Sequence, residues 1–374
     1  PYAPDLIALK GASIAHTMER LWRGTDAVFG IALGISAEFI FLFVLFGALR
    51  DSGGGGNYFV RSALALVGHM RGGPAKAAVG VSAATGLFSG ASVINVVSTG
   101  PLTIPLIKRI GYTPDRAAAI EVASSVNGQV MPPVMGAAAF LMVEYVGIPY
   151  VDVLRHALIS ALVAYVGLLI IVHFEAVKAG LEGLPRQPVR WQLSLRRFLV
   201  GLAGMLGVLA LLALLVPLAR VWLPAAGPEV VGALLVLAYL LLLRFGARNA
   251  LSEAALEAGS RSTPGEVLRA GLYFLLPVGL LVWNLVVERT APAFAVFWAL
   301  LLLVFIVLTQ RPVLVWLRQE PREALGPAWR RGVEDLFNGV YAGVRGMLLV
   351  AVATAAAGVV GGVFLIAGGP GLLR

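Results

Sequence analysis

The amino-acid sequence predicts an all-α polytopic membrane protein, and three observations carry this prediction. Hydrophobic residues make up 59% of the 374 residues, charged residues make up 13%, and the mean hydropathy is +0.88. A soluble domain has about 25% charged residues, so the composition excludes soluble globular, disordered and coiled-coil proteins. Charge-free stretches of membrane-spanning length recur, and basic residues are concentrated in alternate linkers between them. Helices are predicted because lipid offers no partners for open strand edges.

The net charge of +9 and the pI of about 10.2 would suggest nucleic-acid binding in a soluble chain. Here the basic residues lie between apolar runs, so we expect them to face the anionic lipids of the cytoplasmic membrane surface. The sequence has no cysteine, which excludes disulfides and thiolate metal sites. Membrane lipids are therefore expected partners, and nucleic acid is not.

The first elements are an interfacial segment and a crossing. Residues 1–26 are mixed in character and predict a segment at the membrane interface. A crossing over residues 27–49 follows, in which Glu38 is the only charged residue. The glycine cluster Gly53–Gly56 predicts a turn or flexible loop. Residues 57–70 carry apolar residues at helical spacing beside arginines, which is typical of a helix lying at the interface.

Residues 77–107 predict a re-entrant hairpin. This stretch has no charged residue in 31 positions, which is long for one crossing, and it is polar at its middle. Basic residues flank it on both sides, so the positive-inside rule places both ends in the cytoplasm. A segment that enters and leaves on one side must turn within the membrane, and we predict its tip at Ser89–Thr99.

The hairpin tip is a candidate ion site. Glycines let the chain turn, and unwound carbonyls together with hydroxyls are hard oxygen ligands of the kind that hold Na⁺ in broken transporter helices. Close packing of small residues would explain any single serine here, whereas the whole cluster favours a site. The candidate residues are Ser89, Gly90, Ser92, Asn95 and Thr99.

Residues 117–147 predict a broken helix. The sequence SSVNGQVMPP contains two adjacent prolines, which remove two helical hydrogen bonds and free carbonyl groups in the preceding turn. Its amide side chains and its glycine make packing alone an insufficient explanation, so a binding site is favoured again. The candidate residues are Asn127, Gly128, Gln129, Pro132 and Pro133. The predicted Na⁺ ligands across both elements are oxygens of Ser89, Ser92, Asn95 and Asn127.

The remaining elements are plain crossings whose linkers define the topology. From residue 106 onward, four linkers carry 17 lysines and arginines, and the three alternating linkers carry 2. The positive-inside rule assigns the basic linkers to the cytoplasm. The predicted crossings are 153–172, Phe198–Ala219, Val230–Leu243, Ala270–Val287, Ala291–Gln310 and Gly346–Leu373.

Glu38 and Glu121 are candidate coupling acids. A charged residue within a membrane helix costs about 2.5–3.5 kcal/mol on insertion scales, so it is a functional candidate by default. The alternative for each is a structural pairing with an arginine or a backbone donor. No HExxH, GxSxG or P-loop sequence is present, so no enzymatic activity, ATP-driven pump or cofactor is predicted.

Two long segments resemble the large membrane (permease) subunit of TRAP transporters, most closely its TAXI-type branch. These are SGASVINVVSTGPLTIPLIKRIGY and AAAIEVASSVNGQVMPPVMGAAAFLMVEYVGIPY, and the upstream LGISAEFIFLFVLFGAL and RGGPAKAAV fit the same branch. The resemblance is strong over Val28–Gly180 and weaker beyond. Where the family often has a further Ser or Thr in the hairpin, this chain has Ala91 and Ile94.

The resemblance implies an elevator-type transporter built from two inverted repeats, each with a hairpin and a broken helix. It divides the chain into an interfacial segment 1–26, a first transport repeat 27–180, scaffold helices with basic cytoplasmic linkers 181–335, and the truncated start of a second repeat 336–374. It implies two partners, a periplasmic TAXI-type solute-binding protein and a small membrane subunit that is often fused upstream. It also implies a multi-pass location in a bacterial or archaeal cytoplasmic (inner) membrane.

The leading hypothesis is a cation-coupled symport permease that takes up organic acids such as dicarboxylates. Sodium is favoured over protons because the tips are rich in oxygen and lack a His–acid relay, although Glu38 and Glu121 keep H⁺ open. One alternative is an ion-coupled transporter without a binding protein. The others are an intramembrane lipid-modifying enzyme with Glu38 or Glu121 as base, and a membrane scaffold subunit.

Overall fold

The computed structural model describes residues 13–25, 27–184, 203, 207, 227–247, 264–319 and 321–366. Every regular element in these residues is helical, which confirms the all-α prediction. We number the helices in chain order, treating the continuous helix with a π-helical segment at Ser36–Ile40 as one element. They are α1 (Ile14–Arg23), α2 (Ile31–Ser52), α3 (Gly55–Val67), α4 (Gly73–Ser89), α5 (Ser92–Arg109), α6 (Pro114–Asn127), α7 (Ala137–Val146), α8 (Tyr150–Lys178), α9 (Gly227–Ala247), α10 (Pro264–Ala270), α11 (Leu276–Val282), α12 (Pro292–Leu317) and α13 (Leu325–Ile366).

Four helices in the described part of the chain are long and apolar enough to cross a membrane: α2, α8, α12 and α13. Helix α9 and the segment Leu272–Val287 are shorter and apolar. The predicted crossing Phe198–Ala219 lies outside the described residues. The several apolar helices confirm a multi-pass membrane protein. Helix α13 runs without interruption past residues 335 and 336, and the division of the chain proposed there stays a prediction.

Helices α4 and α5 form a helical hairpin, and its turn is shorter than predicted. Only Gly90 and Ala91 leave the helical conformation, and Ser92 already begins α5. The hydroxyl oxygens of Thr99 and Thr103 lie 2.8 and 3.0 Å from the carbonyl oxygens four residues earlier, so these polar residues are accommodated inside a helix and do not unwind it. Helix α4 has 17 residues and spans about 25 Å, which is less than the hydrocarbon core of about 30 Å.

Both outer ends of the hairpin lie at the same end of the bundle. At the entry, the Lys76 ammonium donates to Nδ1 of His173 at 2.9 Å. Beyond the exit, the Tyr112 hydroxyl donates to the carbonyl of Val172 at 3.3 Å. Because both contacts are made to the last turns of α8, the hairpin enters and leaves on one side, the geometry expected of a re-entrant segment.

The helix that follows is broken where the sequence predicts. Helix α6 ends at Asn127, a single 3₁₀ turn covers Gly128–Val130, and α7 begins only at Ala137. Met131 is extended (φ −76°, ψ 114°), as expected of a residue that precedes a proline. The Pro132–Pro133 peptide bond is cis.

The main core lies between α2, α7, α12 and the hairpin. Phe140 of α7 stacks on Phe39 of α2 and on Tyr150 at the start of α8. Phe43 and Phe88 are fully buried within the same cluster. Helix α13 packs along α2 and α12, so α2 is enclosed between the hairpin on one side and α13 on the other.

Candidate functional site

A cavity of about 890 Å³ lies where the hairpin turn meets the broken helix. Helices α2 and α13 close its remaining sides, and much of its wall is apolar, including Phe43, Val97 and Phe140. A mostly apolar pocket with a few placed polar groups is the usual form of a small-molecule site. Its polar and charged lining residues are Asp51, Ser52, Ser92, Ser98, Gln129, Tyr341, Arg345 and Thr354.

The hairpin turn is pressed against the unwound segment of the broken helix. Gly90 has φ +56°, and a Cβ atom built on it would lie 1.7 Å from the carbonyl oxygen of Met135. Only glycine fits both requirements, a left-handed conformation and this close backbone approach. The Gln129 amide donates to the Ser92 hydroxyl at 2.7 Å and so joins the two elements again at the cavity wall. The two predicted breaks therefore form one structural unit.

Arg345 is the one uncompensated charge among the described residues that line the cavity. Asp51 is the only other charged residue that the structure describes in the lining, and its carboxylate accepts from Arg50 through Nε at 3.0 Å and through Nη2. Arg345 has an exposed side chain and forms no ion pair with the described part of the chain. The cavity therefore has a net positive charge, which favours an anion. A guanidinium binds carboxylates with two parallel hydrogen bonds, so it is suited to an organic acid.

Arg50 is a buried cation beneath the hairpin turn. Its side chain is 1% exposed, and its guanidinium lies 4.3 Å from the centre of the Phe88 ring and 5.3 Å from that of Phe59. A buried charge is tolerated only when it is paired, and Asp51 together with these rings supplies the pairing. Phe88 is two residues before Gly90, so Arg50 packs against the last turn of α4.

A second polar group lies deeper, between the hairpin and α6. Glu121 is fully buried, and its carboxylate accepts hydrogen bonds from Thr99 and, at 2.6 Å, from Thr103. Asn95 accepts from Thr85 through Oδ1 and donates to the carbonyl of Ser82 at 3.2 Å. No basic side chain of the described residues forms an ion pair with Glu121. This network joins α4, α5 and α6.

The predicted site residues fall into two groups in the structure. Gly90, Ser92 and Gln129 line the cavity, whereas Asn95, Thr99 and Gly128 lie in the buried layer behind it, with the Asn95 amide against Gly128. Three other predicted residues have described side chains: Asn127 and Pro132 are half-buried, and Pro133 is buried. For Ser89 the structure describes the backbone alone.

Two of the predicted site residues already have hydrogen-bond partners for their oxygen atoms in the protein. The Asn95 side chain bonds to Thr85 and Ser82, and the Pro133 carbonyl accepts from the Tyr150 hydroxyl at 2.7 Å. The sodium ligand set drawn from Ser89, Ser92, Asn95 and Asn127 stays a prediction.

The two candidate acids are in different environments. Glu121 lies within the hairpin network, while Glu38 is exposed on the π-helical segment of α2 and does not line the cavity. A π-helical turn inserts one extra residue and often marks a functional position, but no described contact joins Glu38 to the site. Of the two, only Glu121 is placed where it could respond to the hairpin.

Sequence reasoning missed the residues that α2 and α13 contribute. Arg345 directly precedes a long uncharged run, and in the sequence it reads as an ordinary flanking charge. In the sequence, Arg50 and Asp51 likewise look like the charged residues that end a membrane crossing. The available signal was an adjacent Arg–Asp pair at the end of an apolar helix, since such a pair can be buried together. The aromatic rings around Arg50 and the cavity itself depend on long-range packing.

The comparisons with known proteins agree with this architecture. The family profile of the Tripartite ATP-independent periplasmic transporter, DctM component, matches residues 14–373. The C4-dicarboxylate TRAP transporter large permease protein DctM of Vibrio cholerae is 29% identical over 189 residues, which cover 50% of this chain and 38% of that protein. The protein of the same name from Pseudomonas aeruginosa is 30% identical over 164 residues, covering 43% of this chain and 37% of that protein.

A further relative is the uncharacterized protein YgiK of Salmonella typhimurium, which is 33% identical over 129 residues, covering 34% of this chain and 28% of that protein. The chain thus spans less than two fifths of the length of the curated relatives it matches. The family profile nevertheless covers almost all of its residues. The chain belongs to the DctM family, the large membrane component of TRAP transporters.

Proposed function

We propose that this chain is part of the permease of a secondary transporter that takes up carboxylates. The observation that carries the proposal is Arg345, a cation without an ion-pair partner in the described part of the chain, in a cavity whose wall is formed by the hairpin turn and the broken helix. Two relatives carry C4-dicarboxylate transport in their names, which supports a dicarboxylate as the substrate. Because the chain spans only part of these relatives, the proposal concerns the complete gene product.

The cavity supplies binding groups for both ends of a small organic acid. One carboxylate of the substrate pairs with Arg345 of α13, and hydroxyl and amide groups of Ser92, Ser98 and Gln129, on the hairpin and the broken helix, accept or donate hydrogen bonds to the rest of it. Apolar side chains of the same lining, such as Phe43, exclude water and strengthen the charge pairing. Since Ser92 and Gln129 belong to the hairpin and the broken helix, movement of that unit would change the shape of the site. This supports an elevator-type mechanism.

We propose Na⁺ as the coupling ion. The hairpin turn and the break in the following helix both contain oxygen-rich residues, and such hard oxygen ligands suit Na⁺. The buried carboxyl of Glu121, which lacks a basic partner among the described residues, favours H⁺ as the second candidate. Transport driven by an imposed Na⁺ gradient without a pH gradient supports the first. Uptake that responds only to a pH gradient refutes it.

We also propose that the transporter works with a periplasmic TAXI-type binding protein and a small membrane subunit in a bacterial inner membrane. The profile that matches the chain is that of one component of a tripartite periplasmic system, which supports such partners. The TAXI-type assignment rests on the sequence motifs of the hairpin and the broken helix. Copurification of the complete gene product with a binding protein encoded beside it, and uptake that depends on that protein, would test it.

The experiment that tests the site is uptake of a radiolabelled dicarboxylate into proteoliposomes by the complete transporter. Arg345→Gln should reduce uptake at limiting substrate by about 10- to 100-fold, since a hydrogen bond to a charged group contributes about 1.5–3 kcal/mol. Arg345→Lys keeps the charge but not the paired geometry and should retain part of the activity. The matched control is Arg330→Gln on the same helix, where Arg330 is 83% exposed and pairs with Glu334 at 2.9 Å. Unchanged uptake by Arg345→Gln would overturn the proposed site.

A further inference from the structure

A second groove of about 890 Å³ lies along helix α4 of the hairpin and shares no described lining residue with the candidate site. Helices α3, α4 and α8 form its walls, and residues 268–275 form its floor. The lining is almost entirely aliphatic and aromatic, and several of its side chains are strongly exposed, including Val166, Ile170 and Phe174 at 53%, 49% and 65%. This volume falls within the range of about 300–1,000 Å³ that small-molecule sites occupy.

One end of the groove is polar and basic. Lys76 and His173 both line it, and the ammonium of Lys76 donates to Nδ1 of His173 at 2.9 Å. No acidic residue of the described part of the chain lines the groove, so the described residues do not offset the positive charge of Lys76 within it. This end is the entry of the hairpin and the last part of α8, which the basic linkers assign to the cytoplasmic side. The groove therefore combines an apolar body with a cationic end at the anionic leaflet.

We infer that this groove binds an anionic phospholipid, with an acyl chain along the apolar walls and the phosphate against Lys76. Basic pockets between membrane helices on the cytoplasmic side recognise anionic head groups, and an acyl chain needs a long apolar channel beneath them. Charge complementarity favours an anionic phospholipid over an uncharged apolar helix as the occupant of the groove, because such a helix offers no anion to Lys76. The lipid would contact α4 and α8 together and would hold the hairpin against its neighbour.

Gly80 offers a way to close the groove without distorting the fold. It lines the groove on α4, and a Cβ atom built on it has no atom within 4 Å. Gly80→Phe therefore fills the groove with a side chain that meets open space. Gly167→Phe is the matched control, because Gly167 lies on α8, also has open space at its Cβ position, and does not line the groove.

The test measures binding of dioleoylphosphatidylglycerol and dioleoylphosphatidylcholine to the complete gene product in detergent by native mass spectrometry. We expect phosphatidylglycerol to bind at least fivefold more tightly than phosphatidylcholine. Lys76→Gln should remove that preference, since one lysine near a lipid surface accounts for a difference of about fivefold. Gly80→Phe should abolish binding of both lipids. Lys108→Gln, an exposed lysine of α5 outside the groove, and Gly167→Phe should bind as the unmodified protein does.

Three outcomes would overturn the inference. Equal binding of the two lipids would show that the groove holds apolar chains without recognising charge. Retention of the preference in Lys76→Gln would place the head group elsewhere. Crosslinking of residues 198–219 into the groove would show that the chain itself fills it. If Gly80→Phe does not fold, Lys76→Gln still decides, because it removes charge from a half-buried side chain without adding volume.

Discussion

Replacing Gly90 with alanine tests whether the hairpin turn is held against the broken helix. Gly90 forms the turn between α4 and α5, has φ +56°, and faces the carbonyl oxygen of Met135. An alanine at this position meets two separate penalties. The first is the left-handed backbone conformation, which costs an L-residue about 1–2 kcal/mol. The second is the overlap of its Cβ atom with Met135.

The overlap is large enough to displace one of the two elements. The added Cβ would lie 1.7 Å from the Met135 oxygen, and real Cβ atoms essentially never come closer than 3.0 Å. The turn or the unwound segment must therefore move by more than 1 Å, and such overpacking costs about 1–3 kcal/mol. Gly90→Ala should thus destabilise the protein by about 2–5 kcal/mol in total and separate Ser92 from Gln129, which now bond at 2.7 Å.

Gly147→Ala is the matched control for backbone strain alone. Gly147 has φ +72°, and a Cβ atom there has no neighbour within 4 Å, so only the conformational penalty applies. The assay is the loss of folded protein on heating in detergent, followed by uptake with the complete transporter. We expect Gly90→Ala to lower the melting temperature well below that of Gly147→Ala and to abolish uptake. Equal melting temperatures in the two variants would refute the contact between the turn and Met135.

Three further substitutions test the polar contacts. Glu121→Gln should leave the fold intact. If Glu121 is structural, Na⁺-driven uptake into proteoliposomes should persist in this variant. If Glu121 carries the coupling proton, uptake driven by a pH gradient should be lost. Gln310→Ala removes the donor to the Gly53 carbonyl at 2.8 Å and should cost about 1–3 kcal/mol, seen as a lower unfolding midpoint; an unchanged midpoint contradicts it. Arg50→Met leaves Asp51 without its partner and should destabilise by about 3–5 kcal/mol. Adding Asp51→Asn should restore much of that loss, and a double variant as unstable as the single one would show that the pair is not the cause.

Much of the fold could be predicted because the membrane limits what a chain can do. The crossings, the hairpin and the break follow from apolar length, flanking charge and proline chemistry, which are local properties. The double proline predicted the interruption after Asn127, and the structure places it there. The same reasoning predicted a hairpin tip that is longer than the turn in the structure. Thr99 belongs to the predicted tip, but its hydroxyl oxygen lies 2.8 Å from the carbonyl oxygen of Asn95 within α5 and its proton is donated to Glu121, so the helix continues.

The candidate site was only half predictable. Ser92 and Gln129 were identified because they lie in segments whose sequence is unusual, and the structure joins them by a hydrogen bond. Arg345 lies 253 positions after Ser92, and no local pattern distinguishes it from other charges that end an apolar run. Its position depends on how α13 packs along α2, which is a property of side-chain shape across long separations.

The sequence by itself determined the class of the protein, the four long apolar helices of the described residues, and the two interrupted elements. These depend on hydrogen-bond satisfaction in lipid, which acts on each segment separately. The tertiary structure decided which polar groups face one another. It placed Gly90 against Met135, enclosed Arg50 beneath the hairpin and directed Arg345 into the cavity. Such pairings are set by close packing of helices far apart in the chain, and a charge acquires its role only when its neighbours are known.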